Sequence, residues 1–164
     1  MKRWISLLPL VLGALVWATD TPAPTPPAQP VPYSHKKHLA MGLNCKTCHT
    51  NPDPGEVMGI PGVKVCMGCH AGVKTDSPHI QKLDKHAADK SEPAWARIYV
   101  IPSYVFFSHR AHTEAGAKCE KCHGPVATRE ALWREVSISM GACMDCHRQN
   151  KASSDCTFCH EARQ

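Results

Sequence analysis

The placement of the cysteines limits most strictly how this chain can fold. All ten fall in five C-x-x-C-H units: Cys45-Lys-Thr-Cys48-His49, Cys66-Met-Gly-Cys69-His70, Cys119-Glu-Lys-Cys122-His123, Cys143-Met-Asp-Cys146-His147 and Cys156-Thr-Phe-Cys159-His160. Zinc ribbons use C-x-x-C pairs in twos, and five is odd. A thioredoxin-like redox pair occurs once, within a βαβ pattern that is absent here. A disulfide framework gives no reason for a histidine after every second cysteine.

C-x-x-C-H is the attachment unit of covalent haem c. Both sulfurs form thioethers with the haem vinyl groups, and the adjacent imidazole swings under the iron. The sequence therefore predicts five covalently bound haem c groups attached through Cys45, Cys48, Cys66, Cys69, Cys119, Cys122, Cys143, Cys146, Cys156 and Cys159. Their proximal iron ligands are His49, His70, His123, His147 and His160. Only 6% of the 164 residues are aromatic, so the macrocycles must supply much of the apolar surface. The expected fold is a multihaem cytochrome c with little regular secondary structure: a few short α-helices and loops wrapped around five haems. Without haem the chain is expected to be unfolded.

The N-terminus reads as an export signal over residues 1–18. Lys2 and Arg3 precede a mainly apolar run that ends in Val16-Trp17-Ala18, a small-x-small cleavage pattern. The run is short for a spanning helix and is interrupted by Pro9 and Gly13, although an uncleaved anchor is the alternative. Either way the rest is placed outside the cytoplasmic membrane, in the periplasm. Residues 19–32 carry six prolines in fourteen positions and read as an extended tether standing outside the core. Removing Lys2 and Arg3 lowers the formal charge from +5 to +3. Ten haem propionates would then bring it to about −7, so the basic composition is no argument for nucleic acid, and basic partner surfaces are favoured.

The chain repeats itself. Tyr33-Ser-His35-Lys-Lys-His38 aligns with Phe107-Ser-His109-Arg-Ala-His112, with Gly42 and Gly116 in the same place and a C-x-x-C-H unit following each. This divides the chain into a two-haem unit (33–75), a linker (76–103) and a three-haem unit (104–164). Within the linker, Ser77-Pro78 fits an N-cap and first helical residue, with His79, Ile80, Leu83 and His86 on one face. The segment WARIYVIPSY reads as extended packing, and residues 129–136 as a second short helix.

The aromatic-x-H-x-x-H segments resemble those of the class III cytochrome c superfamily, small periplasmic multihaem proteins. The resemblance implies that the first histidine of each segment completes the nearest haem and the second completes the next. His35 would then serve the Cys45/Cys48 haem and His38 the Cys66/Cys69 haem. Likewise, His109 would serve the Cys119/Cys122 haem and His112 the Cys143/Cys146 haem. Over 33–164, the segments SPHIQKL, PAWARIYVIPSYVFFSHRAH, CHG and SMGACMDCHR are similar to the pentahaem cytochrome subunit of alternative complex III and its relatives in menaquinone-oxidising complexes. In class III relatives the last sixth ligand comes from just before the preceding motif. That place holds Met140, the first candidate for the Cys156/Cys159 haem, with His86, His79 or an open site as alternatives and Met58 and Met41 behind them.

The resulting expectation is an electron-transfer protein, with no catalytic residues and no small-molecule substrate. It would act as a periplasmic carrier among redox protein partners, or as the cytochrome subunit of a quinol-oxidising respiratory complex. A multihaem reductase with one open iron is the rival reading, disfavoured because spare histidines exceed irons. A haem-wire polymer subunit is the third.

Overall fold

A computed structural model describes residues 24–49 and 58–161. The export signal expected over 1–18 and the start of the Pro-rich segment lie outside these residues. Eight α-helices and no strands occur among the described residues: α1 (His35–Leu39), α2 (Cys45–Cys48), α3 (Val63–His70), α4 (Pro78–Ala88), α5 (His109–Glu114), α6 (Glu120–His123), α7 (Met140–Gln149) and α8 (Cys156–His160). None is long and apolar enough to cross a membrane.

Each C-x-x-C-H unit lies in or at the start of a helix, and the physical reason is its spacing. Positions i, i+3 and i+4 share one helical face, so two thiols and an imidazole point the same way. Local capping sets where these short helices begin. Asn44 caps α2 in a reciprocal capping box with Thr47, at 3.1 and 3.2 Å. Ser139 caps α7 by accepting from Ala142 N, and Asp155 caps α8 by accepting from Thr157 N. At α3 the N-cap is Gly62, which has no side chain to offer. Glu92 supplies the missing acceptor from 29 residues away, its Oε2 taking the Val63 N–H at 2.6 Å.

The apolar core is small. Among the described residues, Val31, Val63 and Leu83, each 4–5% exposed, are the buried hydrophobic residues, with Cys66, Met67, Ile80, Ala87 and Trp95 packed against them. It sits between α3 and α4. Ser77 and Pro78 open α4 as the sequence predicts, but its inward stripe is Ile80, Leu83 and Ala87, while His79 is exposed. The end of the Pro-rich segment belongs to this core and does not stand off from it. Val31 is buried, the Gln29 side chain exchanges two 3.0 Å hydrogen bonds with the Ala96 backbone, and Lys82 Nζ donates to Pro30 O at 2.8 Å. An extended proline-rich strand suits this strap, because its carbonyls stay free to accept.

The helix expected over residues 129–136 does not form; a 3₁₀ turn (Val126–Thr128) precedes an irregular stretch. Its backbone is committed elsewhere. Arg129 O accepts from Lys36 N at 3.1 Å, and the Tyr99 hydroxyl accepts from Glu135 N and Val136 N. Arg129 and Glu135, six apart, close a two-bond ion pair at 2.6 and 2.7 Å. Segment WARIYVIPSY forms no helix and ends in a turn at Ser103 and Tyr104.

Candidate functional site

The two copies of the repeat build the same local device. Ser34 caps α1 by accepting from Lys37 N, and Ser108 caps α5 by accepting from Ala111 N, both at 3.1 Å. Tyr33 lies edge to face with His35 at 4.8 Å and stacks on His38 at 4.4 Å. Phe107 repeats this against His109 at 4.8 Å and His112 at 4.4 Å. His38 Nδ1 donates to Ser34 O and His112 Nδ1 to Ser108 O, both at 2.8 Å. Past the helix ends, Gly42 and Gly116 take left-handed φ of +87° and +86°, the conformation a C-terminal cap glycine supplies.

Each of these histidines faces the histidine of an attachment motif. His35 meets His49 with ring centroids 6.4 Å apart and planes within 5°; His109 meets His123 at 6.4 Å and 9°. His38 meets His70 at 6.2 Å and 63°, and His112 meets His147 at 6.0 Å and 49°. An iron bound at about 2 Å through one nitrogen of each ring would hold the centroids roughly 6 Å apart. The gaps are therefore sized for a metal, not for direct stacking. These are also the partners that the resemblance implies for four of the haems.

The hydrogen bonds fix which nitrogen faces each gap. A carbonyl can only accept, so a ring whose Nδ1 meets one carries a proton there, and in the neutral ring Nε2 is then the ligating nitrogen. This holds for His38 and His112, for His49 with Gly59 O at 2.8 Å and His70 with Val73 O at 2.9 Å. It holds equally for His147 with Ser153 O and His160 with Tyr104 O. Such an outer carbonyl is the usual support of a metal-binding imidazole. His35 Nδ1 is buried without a hydrogen-bond partner. Burial first, then the charges of His49 and His38, lower its pKa to about 4, so its ring is neutral and able to ligate at neutral pH. His123 is lowered first by burial and then by the charge of His49.

The thiols are crowded in pairs. Burial, followed by the charge of Cys48, raises Cys66. Burial, followed by Cys146 and Cys143, raises Cys122, and burial followed by Cys159 raises Cys143. Cys45 is raised by burial and then by Cys119. The donor set thus fits covalent haem: paired imidazoles at the separation an iron would span, with motif thiols on the same helical faces.

The fifth motif differs. His160 has the Tyr104 ring 6.0 Å away in place of a second imidazole. Met140 is the first residue of α7, 70% exposed. It stands one turn before Cys143, on the same face, and Cys143 neighbours Cys159. His86 and His79 belong to α4, which packs on α3, and His86 Nδ1 is engaged by Ser91 Oγ at 2.8 Å.

Sequence reasoning missed the groups that join the two copies. Tyr99 lies edge-on to His123 at 4.7 Å, and Lys36 and Lys37 reach Glu130 at 3.9 and 3.7 Å. No local pattern announces them, because their partners are distant in sequence.

Residues 105–161 match the family of cytochrome c7 and related cytochromes c. The chain is similar to the multiheme cytochrome c subunit of a menaquinone reductase from Nitratidesulfovibrio vulgaris, 27% identical over 161 residues covering 81% of this chain and 77% of that protein. It is also similar to cytochrome c7 of Geobacter metallireducens, 35% identical over 79 residues covering 45% of this chain and 87% of that protein.

The chain belongs to the cytochrome c7 family, multihaem c-type cytochromes that carry electrons on covalently bound haem c.

Proposed function

We propose that this chain is an extracytoplasmic pentahaem cytochrome, and that it serves as the electron-transfer subunit of a membrane-bound, quinone-linked complex. The observation that carries this reading is the set of four facing imidazole pairs at 6.0–6.4 Å. Bound at these sites, haem supplies one-electron chemistry between its ferrous and ferric states. The chain's own residues do the rest. The ten motif cysteines would anchor the macrocycles, and the motif histidines would each supply one iron ligand. His35, His38, His109 and His112 would supply the second ligand at four of the sites, which would leave those four without a position for substrate. Backbone carbonyls on Nδ1 hold the rings of His38, His49, His70, His112, His147 and His160 in register.

We assign two haems to residues 33–75 and three to 104–164. For the Cys156/Cys159 site, Met140 is favoured over His86 and His79 because it shares a helix face with Cys143. A thioether there would raise the potential of that site relative to the bis-histidine ones. The quinone-linked assignment is supported by the likeness to the menaquinone reductase subunit. Cell fractionation with intact-mass measurement tests the proposal. Five haems on a chain retained in the membrane with partner polypeptides is the expected result. A free periplasmic species overturns the subunit assignment, and fewer than five haems overturns the site assignment.

A further inference from the structure

The segment that joins the two copies carries four aromatic residues, each seated against a different part of the molecule. Trp95 packs on the α3–α4 core, Tyr99 lies on His123, Tyr104 lies beside His160, and Phe107 sits against His109 and His112. Phe107 repeats the part of Tyr33 in the first copy, and Tyr104 also offers its carbonyl to His160 Nδ1. Tyr99 belongs to neither pattern, and its neighbour is the motif histidine that is held differently from the other four.

His49, His70, His147 and His160 are each fixed through Nδ1 by a backbone carbonyl, those of Gly59, Val73, Ser153 and Tyr104. Among the described residues, His123 makes no such bond. An imidazole that ligates through Nε2 can still turn about that bond, and a partner at Nδ1 is the usual restraint. At His123 the restraint is a ring. Tyr99 meets it edge to face, centroids 4.7 Å apart and planes at 81°, a geometry that aromatic rings prefer and that opposes rotation of either one.

A ring can position another only if it is itself held. The Tyr99 hydroxyl oxygen accepts from Glu135 N at 3.1 Å and from Val136 N at 3.3 Å. The loop that presents these donors is closed on itself by the two-bond Arg129–Glu135 pair, with the Arg129 guanidinium 4.9 Å over the Trp133 ring. It is also closed against the site. Gly124 directly follows His123 at φ +71°, and a side-chain carbon there would come within 3.3 Å of Glu135 Cβ. Glycine therefore both takes the turn and lets the Glu135 side chain lie beside the motif histidine.

Resting on the pentahaem reading above, we infer that Tyr99 is a positioning residue for the Cys119/Cys122 haem site: anchored through its hydroxyl to Glu135 and Val136, it holds the His123 ring within 9° of His109. The two near-parallel imidazole pairs thus reach one geometry by different means. In the first copy a carbonyl, Gly59 O, restrains His49; in the second a tyrosine of the linker restrains His123. The linker accordingly does more than connect the copies.

The test uses low-temperature electron paramagnetic resonance of the oxidised, haem-loaded protein, because the angle between imidazole planes sets the low-spin signal. The Cys119/Cys122 signal is identified as the one lost in His109→Ala. In Tyr99→Ala that signal should broaden and move toward larger anisotropy, while the His35/His49 signal stays in place and the haem count is unchanged. An unmoved signal overturns the assignment. So does an equal disturbance of the other pairs, since a residue that merely supports the fold would disturb them all. Should Tyr99→Ala fail to load, Tyr99→Phe decides, because it keeps the ring and removes the anchored hydroxyl. A shift confined to the Cys119/Cys122 signal is then expected, and any other result overturns the proposal. The wild-type haem count tests the pentahaem reading separately, so the two failures are distinguishable.

Discussion

The four imidazole pairs divide by the angle between their planes, and the oxidised protein should display that division. His35/His49 and His109/His123 lie within 5° and 9° of parallel, whereas His38/His70 and His112/His147 are turned by 63° and 49°. The turned rings are fixed by their surroundings: His38 and His112 are tied to Ser34 O and Ser108 O and stacked under Tyr33 and Phe107. Each imidazole raises the iron d orbital that lies across its own plane. Parallel rings raise the same orbital, while turned rings divide their effect between two. The splitting falls as the cosine of the angle, to about half of its parallel value at 63° and about two-thirds at 49°. Low-temperature electron paramagnetic resonance of the oxidised holoprotein should therefore show two irons with rhombic low-spin signals and two with large-anisotropy low-spin signals. His38→Ala should remove one large-anisotropy signal and create a high-spin signal from one iron in five, with the rhombic pair untouched. Four rhombic signals in the wild type, or loss of a rhombic signal in the variant, would refute the reasoning.

Met140→Leu keeps the volume but removes the thioether, so it should convert one iron in five to a high-spin form; an unchanged spectrum excludes Met140 as a ligand. Leu83→Ala empties the centre of the small α3–α4 core and should cost about 2–4 kcal/mol in denaturant unfolding. Hydrogen exchange should quicken in α3 and α4 more than in α7, and equal quickening in α7 would contradict a core confined to that helix pair. Glu135 is held below the usual carboxylate range, first by its hydrogen bond from Arg129. A depressed folded-state pKa contributes stability above the ordinary carboxylate pKa, and that contribution is lost as pH falls through the depressed value. Glu135→Gln should thus be less stable than wild type at neutral pH and lose less on acidification, as followed by circular dichroism. An acid profile parallel to wild type would show that the ion pair contributes nothing there.

Much of this protein is legible in its sequence because its chemistry is local. C-x-x-C-H states a cofactor within five residues, and its spacing fits one face of a helical turn. The repeated aromatic-Ser-His-x-x-His segment encodes a cap, a stacking ring and two outward imidazoles in six residues, and the structure builds both copies alike. Ser77-Pro78 opens α4 for an equally local reason. The errors arose where distant partners outweighed local preference. Residues 129–136 have helix-compatible composition, yet Tyr99, Lys36 and the Arg129–Glu135 pair engage the groups a helix would need. The prolines of 19–32 announced an extended strand correctly, but not that Val31 would be buried beneath Trp95 and Leu83.

By itself, then, the sequence pointed to covalent haem c and to the internal repeat, each a matter of a few neighbouring side chains. Only the tertiary structure decided that α1 of the first copy meets the segment after α6 of the second, through Lys36 N on Arg129 O and the lysines on Glu130. That outcome depends on α4 folding back on α3 to bury Leu83 against Val63, and no local spacing records where a chain turns back.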